Sequence, residues 1–294
     1  MSKKIKAAII GPGNIGTDLM YKIFRSDVLE MSAMIGIMES PGIERARNLG
    51  ITVSTDGIKF VEENPDIAEI FFDATTAKAH SEVHGPVLER LGKIAIDLTP
   101  AAIGEIVSPM VNMNDALKVR NVNLITCGGQ ATTPIIYAIG KCMDIEYAEV
   151  VTAVSSKSAG PGTRNNIDEY TRTTARAIKK LTNADRAKVL TIFNPAVPEV
   201  PMRNTIYCIP KGEFNIEEIR ASVEQMVKNI QSYVPGYTLT LKPVVENGIV
   251  TTIVTVNGAG DFLPPYAGNL DIETASSVKI AELYAENMLK NCQN

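Results

Sequence analysis

At 294 residues, 45% of them hydrophobic and 21% charged, the chain can bury a sizeable core and divide into two domains. A net charge of −4 with no dense cluster of Lys and Arg gives no support to nucleic-acid binding. After Lys3, Lys4 and Lys6 the apolar run is only Ala7 to Ile10, too short for a signal peptide. No later run could span a bilayer, so a cytoplasmic protein is expected.

Ile5 to Ile10 reads as a buried strand, and Gly11-Pro12-Gly13-Asn14-Ile15-Gly16 follows it directly. Thr17 to Arg25 then carries Leu19, Met20, Ile23 and Phe24 at helical spacing. Strand, G-x-G-x-x-G and helix in that order form a dinucleotide site. The first glycine makes the turn, the second lets the backbone approach a pyrophosphate, and the third packs helix against strand. The alternative is a plain tight turn. A dinucleotide also asks for an acid about 20 residues further on, at the end of the second strand, to hold a ribose hydroxyl. Met34 to Met38 reads as that strand and Glu39 as the acid, the alternative being a solvated residue opening a turn. No arginine follows the strand directly, which leans towards NAD over NADP; Arg45 and Arg47 lie in the next helix.

Ile51 to Val53, Ile67 to Asp73 and Lys93 to Leu98 continue as apolar strands, with helices at Phe60 to Glu63 and His80 to Leu91. Such alternation predicts a parallel sheet covered on both faces, with ligands at the carboxyl ends of its strands. Gly11, Thr75, Thr99 and Cys127 all fall just beyond such ends. His80 and His84, the two histidines, lack a third ligand at readable spacing, so no metal is expected. They read as solvated residues at a helix start, with an acid/base role for His80 as the alternative.

Val122 to Ile125 reads as a strand end, and Gly128-Gly129 permits a sharp turn before Gln130 to Pro134 opens a helix over Ile135 to Cys142. A cysteine between strand end and helix start sits beside unpaired backbone N–H groups, whose field favours thiolate over thiol. Cys127 is therefore the candidate nucleophile, against the alternative of a small buried hydrophobe. Cys142, Cys208 and Cys292 add neither metal-ligand spacing nor a paired framework, consistent with a reducing compartment.

The pattern changes after about residue 145. Tyr147 to Ser155 alternates as a half-buried strand, Ser156 to Asn166 forms a polar loop rich in glycine, and Ile167 to Leu181 reads as an amphipathic helix. Strands at Val189 to Phe193, Thr205 to Ile209, Tyr237 to Val245 and Ile249 to Val256 surround a helix at Ile216 to Tyr233. They predict a mixed or antiparallel sheet covered by two helices. A loop from Gly258 to Asp271 precedes the closing helix, Ile272 to Leu289.

Together these stretches resemble the short acylating acetaldehyde dehydrogenases of bacterial aromatic and pentenoate degradation. The resemblance runs nearly end to end. It rests on Gly11-Pro-Gly-Asn-Ile-Gly-Thr-Asp-Leu-Met20, Ile96-Asp-Leu-Thr-Pro-Ala-Ala-Ile-Gly104 and Asn123-Leu-Ile-Thr-Cys-Gly-Gly-Gln-Ala-Thr132. It rests also on Ser155-Ser-Lys-Ser-Ala-Gly-Pro-Gly-Thr-Arg164, Tyr233-Val-Pro-Gly-Tyr237 and Leu263-Pro-Pro-Tyr-Ala-Gly-Asn-Leu-Asp-Ile272. The family converts an aldehyde, coenzyme A (CoA) and NAD to acyl-CoA and NADH. The resemblance implies that Cys127 carries the acyl group as a thioester. It implies NAD contacts at Pro12, Gly13, Asn14 and Ile15, at Asn269, and along Ser158, Ala159, Gly160, Pro161, Gly162, Thr163, Arg164, Asn165 and Asn166.

The fold implied is α/β: an N-terminal Rossmann-type doubly wound parallel sheet and an α+β catalytic and dimerisation domain. The expected limits are 1–130 and 131–270, with a terminal helix over 271–294 packing back on the first domain. A homodimer and a complex with a 4-hydroxy-2-oxoacid aldolase are implied as well. Two departures stand out. Asn204 occupies the position of an aspartate thought to assist the cysteine; an amide cannot accept a proton but can still orient a thiol or a water. The turn after the second strand is one residue shorter, which puts Met38 or Glu39 where an aspartate is usual and bears on the ribose contact and so on the choice between NAD and NADP. A segment from Lys242 to Val250 is also short. The rival readings are a phosphorylating semialdehyde-type dehydrogenase, which would need basic residues near Cys127, and a non-catalytic NAD-binding subunit of an aldolase complex, which Asn204 favours.

Overall fold

A computed structural model describes residues 4–160, 163–164 and 166–291. The chain divides into two compact units, residues 1–124 with 274–294 and residues 125–273.

The first unit is built on a seven-stranded sheet whose pairings are all parallel. Its strands are β1 (Ile5–Ile10), β2 (Leu29–Ile35), β3 (Thr52–Ser54), β4 (Ile70–Asp73), β5 (Ile94–Asp97), β6 (Glu105–Ile106) and β7 (Asn121–Asn123), in the order β3-β2-β1-β4-β5-β7-β6. The strand order reverses between β1 and β4, the place where open α/β sheets bind ligands. Alternation along β1 divides the core. Ile5, Ala7 and Ile9 pack in one cluster with Leu19, Met20 and Ile23 of helix α1 (Asn14–Phe24), while Ala8 and Ile10 join Phe71 and Leu88 in the other. Each such large side chain, fully buried, contributes about 1.5–3 kcal/mol. The chain's last helix supplies Ile280, Ala281, Tyr284 and Ala285 to the first cluster, and the Tyr284 hydroxyl donates to the carbonyl of Ala116.

Two features of this unit differ from the sequence reading. The second strand ends at Ile35, so Glu39 lies four residues past it, ahead of helix α2 (Pro41–Asn48). His80 and His84 are buried rather than solvated. They stand on a π-helical turn, His80–His84, which aims both Nδ1 atoms at one oxygen of Asp73, at 2.9 and 2.8 Å.

The second unit holds helix α3 (Cys127–Gly140), β8 (Ile145–Ser155), α4 (Ile167–Leu181), β9 (Ala184–Asn194), β10 (Met202–Pro210), α5 (Ile216–Gln231), β11 (Tyr237–Glu246) and β12 (Ile249–Val256). It also takes the first turns of α6 (Gly268–Asn291). Its sheet has the order β11-β12-β10-β8-β9, antiparallel except for the β8–β9 pair, which α4 connects. Helices α3, α4 and α5 all contact its strands, one more helix than the sequence reading expected. Inward positions such as Val150, Thr152, Asn204, Ile206, Thr252 and Val254 are fully buried, whereas Leu190 (41% exposed) and Ile192 (50%) alternate onto an open face. No helix among the described residues is long and apolar enough to cross a membrane.

Candidate functional site

The glycine turn of the first unit has the form its sequence predicts. Gly16 is fixed by close packing: a Cβ there would stand 2.0 Å from the carbonyl oxygen of Gly11. Gly13 caps α1 without a side chain over the helix end, and a Cβ at Gly13 would meet nothing within 4 Å. The first-turn N–H groups of α1 therefore face open space, which suits a phosphate. Pro12, Asn14 and Ile15 lie on the same turn. Glu39 is exposed and held by both guanidinium nitrogens of Arg47, at 2.6 and 3.2 Å. The hydrogen bond and charge of Arg47 outweigh the small effect of burial and keep the Glu39 carboxyl below its ordinary range. Glu39 is thus an anion already engaged by an arginine.

In the second unit Cys127 is the first residue of α3, closer to the helix N-terminus than the sequence reading placed it. Thr126 is the N-cap, its hydroxyl accepting from the N–H of Gly129 at 3.0 Å. Ile125 immediately before it has φ +69°, a left-handed value that a β-branched residue adopts only where its surroundings impose it. That twist swings the chain from strand direction into α3. Gly128 is required by its neighbour, since a Cβ would lie 2.3 Å from the hydroxyl of Tyr170.

Cys127 is half-buried among polar groups. Its Sγ lies 3.4 Å from Tyr170 Oη, and the Gly128 N–H donates to the same Oη at 2.9 Å. Burial and the nearby charge of Glu273 push the thiol up to about 12, against the opposing pull of Tyr170 and the backbone N–H groups of Gly128 and Cys127. The helix field expected from sequence is present, but desolvation outweighs it. Glu273→Gln should accordingly make the thiol more acidic and speed its alkylation by iodoacetamide at pH 8. A slower reaction would instead make the carboxylate the group that takes the thiol proton.

Asn204 faces Thr152 across the β10–β8 ladder and accepts from its hydroxyl at 2.8 Å. The Thr152 oxygen would be 3.1 Å from a Cβ on Gly128, so Asn204 lies one group back from the cysteine turn. Its Nδ2 is buried and has no partner.

The loop after β8 is pinned from several sides. Arg164 donates to the carbonyls of Ala159 and Ser156 and to the Ser156 hydroxyl. Its guanidinium lies 4.8 Å from the centre of the Phe193 ring. Lys157 pairs with Glu199. Asn269, on the first turn of α6, donates to the carbonyl of Ser158 at 3.3 Å and keeps a buried Oδ1 without a partner. Two of the residues expected to contact NAD therefore meet, and they leave an acceptor that the carboxamide of a nicotinamide could use. Gly160 is open, Thr163 half-buried and Asn166 exposed, while Pro161, Gly162 and Asn165 lie outside the described residues.

Tyr170, Thr126 and Thr152 were not singled out from sequence. Tyr170 and Thr174 lie one turn apart on α4, on the same side as buried Ala177 and Ile178. A polar pair at i, i+4 on the apolar stripe of an amphipathic helix is the signal that was there to read.

Residues 127–264 match the family described as prokaryotic acetaldehyde dehydrogenase, dimerisation. The chain is 52% identical to an acetaldehyde dehydrogenase of Bacillus cereus, over 98% of this chain and 96% of that one. It is also 52% identical to one of Geobacillus stearothermophilus, over 97% and 98%. Among solved structures, the aspartate semialdehyde dehydrogenase II of Vibrio cholerae, complexed with ASA, shares the fold, with a TM-score of 0.67 at 16% identity over 97% of this chain and 99% of that one. With relatives this similar over nearly its whole length, the chain belongs to the acetaldehyde dehydrogenase family.

Proposed function

We propose that the chain is a CoA-acylating aldehyde dehydrogenase that oxidises acetaldehyde or another short aldehyde with NAD. The observation that carries this reading is a cysteine at the N-terminus of α3, half-buried beside hydrogen-bonding groups rather than sealed in an apolar core. The Cys127 thiol gives up its proton to solvent and its sulfur attacks the aldehyde carbonyl, forming a thiohemiacetal alkoxide. The N–H groups of Gly128, Gly129 and Gln130 are already engaged by Tyr170 Oη, Thr126 Oγ1 and the Thr126 carbonyl. A nicotinamide nucleotide, when bound, supplies the hydride acceptor. The open first turn of α1 would take its pyrophosphate. Oxidation leaves a thioester on Cys127. The thiol of CoA displaces the acyl group, a near-balanced exchange because both leaving groups are sulfur. Asn204, acting through Thr152, is a positioning group.

By this reading the first unit is the NAD-binding domain and the second the catalytic and dimerisation domain. The open sheet face bearing Leu190 and Ile192 supports a homodimer. The resemblance further extends the proposal to a cytoplasmic protein of aromatic hydrocarbon catabolism that receives its aldehyde from a 4-hydroxy-2-oxoacid aldolase. Co-purification with such an aldolase would test that last part.

The deciding experiment measures NADH formation from acetaldehyde and NAD with CoA or with phosphate as acceptor. Turnover should depend on CoA and ignore phosphate. A rate that phosphate sustains without CoA would replace this reading with a phosphorylating one.

A further inference from the structure

The hydrogen bonds around Tyr170 leave one proton whose destination can be worked out. An N–H can only donate, so Tyr170 Oη accepts from Gly128. Thr174 Oγ1 donates to the carbonyl of Tyr170 at 2.8 Å, and is therefore the acceptor in its 2.7 Å contact with Thr126 Oγ1. Thr126 in turn accepts from Gly129. The hydroxyl protons of both threonines are thus placed. Tyr170 Oη also lies beside the Thr126 hydroxyl, but once the Cys127 sulfur is an anion it is the stronger acceptor of the Tyr170 proton, with Sγ at 3.4 Å.

We propose that Tyr170 is a catalytic residue whose phenol O–H donates a hydrogen bond to the Cys127 sulfur, stabilising it as an anion before attack and again when the acyl group leaves. The inference rests on Cys127 being the nucleophile. A bond from a neutral donor to an anionic acceptor is about twice as strong as one between neutral groups. The proton stays on Tyr170, because burial and the adjacent sulfur hold the phenol far above its ordinary acidity range. Thr152 does not compete for this role, since its hydroxyl proton is spent on the Asn204 oxygen. Tyr170 also stands on the first turn of α4, directly after the loop expected to hold NAD.

Tyr170→Phe removes the oxygen and keeps the ring. Its pH profile for alkylation of Cys127 by iodoacetamide should move about one unit to higher pH, a tenfold fall in rate at pH 8. kcat should fall by a similar factor while KM for the aldehyde changes little. Fluorotyrosine at position 170, a stronger donor of the same shape, should shift the profile the opposite way, and it keeps the test open if the phenylalanine variant folds poorly. Profiles that superimpose on the parent for both variants would overturn the proposal. Failure of the nucleophile reading is separable: it would show as turnover surviving Cys127→Ala, whatever the alkylation profiles do.

Discussion

Cys127→Ser or Cys127→Ala should lower aldehyde-oxidising turnover at least about 10³-fold while NAD binding stays near the parent affinity. Serine keeps the shape, but its hydroxyl is a far weaker acid, and the groups that touch this position supply no base. Tyr170 is a donor, and the amide of Asn204 cannot take a proton. NAD binding should survive because Cys127 is not among the residues expected to hold the cofactor. Cys142→Ser is the matched control: Cys142 sits past the far end of α3, its thiol directed at the carbonyl of Ala138, and turnover should be unchanged. Steady-state rates and mass spectrometry of the acylated protein would check both variants. A pH dependence follows from the same site. With burial holding the thiol up to about 12, the free protein carries Cys127 as thiol at neutral pH. Its alkylation rate should climb about tenfold per pH unit through the range of about pH 6 to 9. A plateau near pH 7 would mean that the sulfur is already ionised without ligands.

Much of this site was legible because it rests on local rules. Gly11 to Gly16 and Cys127 to Gly129 announce themselves through what glycine does to a strand–helix junction. What escaped the sequence is non-local. The left-handed Ile125 could not be read, since isoleucine is among the residues least disposed to that conformation and only the packed junction holds it there. Tyr170 reaches Cys127 across 43 positions, and no spacing rule links them. The start of α3 was placed late because two glycines look like a turn, although in the fold they let Tyr170 and Ile125 approach the first turn of a helix. The histidines were misread for a related reason. A polar pair near a helix start is ordinarily solvated, and only the register of β4 beside β5 brings Asp73 and Asp97 to where His80 needs them.

That buried group carries the other large effect. Asp73→Asn should destabilise the protein by about 3–5 kcal/mol, the usual cost of breaking a buried pair by removing one partner. One oxygen of Asp73 receives both histidines, and the other receives the hydroxyl and N–H of Thr75, at 2.5 and 3.1 Å. An asparagine would turn a donor towards one set or the other. Across the ring, His80 Nε2 lies 3.6 Å from Asp97, which is itself held by the N–H of Thr99 and the amide of Asn123. Burial alone would raise the Asp73 carboxyl, but the hydrogen bonds from His80 and His84, the charge of His84 and the hydrogen bond from Thr75 outweigh it and hold the group far below its ordinary 3.8. Burial likewise opposes protonation of His80, and the hydrogen bond to Asp73 with the charges of Asp97 and Asp73 reverses it, raising His80 above 6.5. The signs then follow. The Asp73 contribution is complete above about pH 4 and is lost as pH falls through its depressed value. That of His80 is complete below about pH 6.5 and is lost as pH rises through its raised value. Urea unfolding of the parent should thus show the network's contribution greatest between about pH 4 and 6.5, and Asp73→Asn should flatten both flanks. An Asp73→Asn curve parallel to the parent at every pH would mean that the four groups are held by packing alone. Because Thr75 and Thr99 are tied to the same carboxylates at the carboxyl ends of β4 and β5, a loss of order here would reach the edge where the first unit is expected to bind its nucleotide.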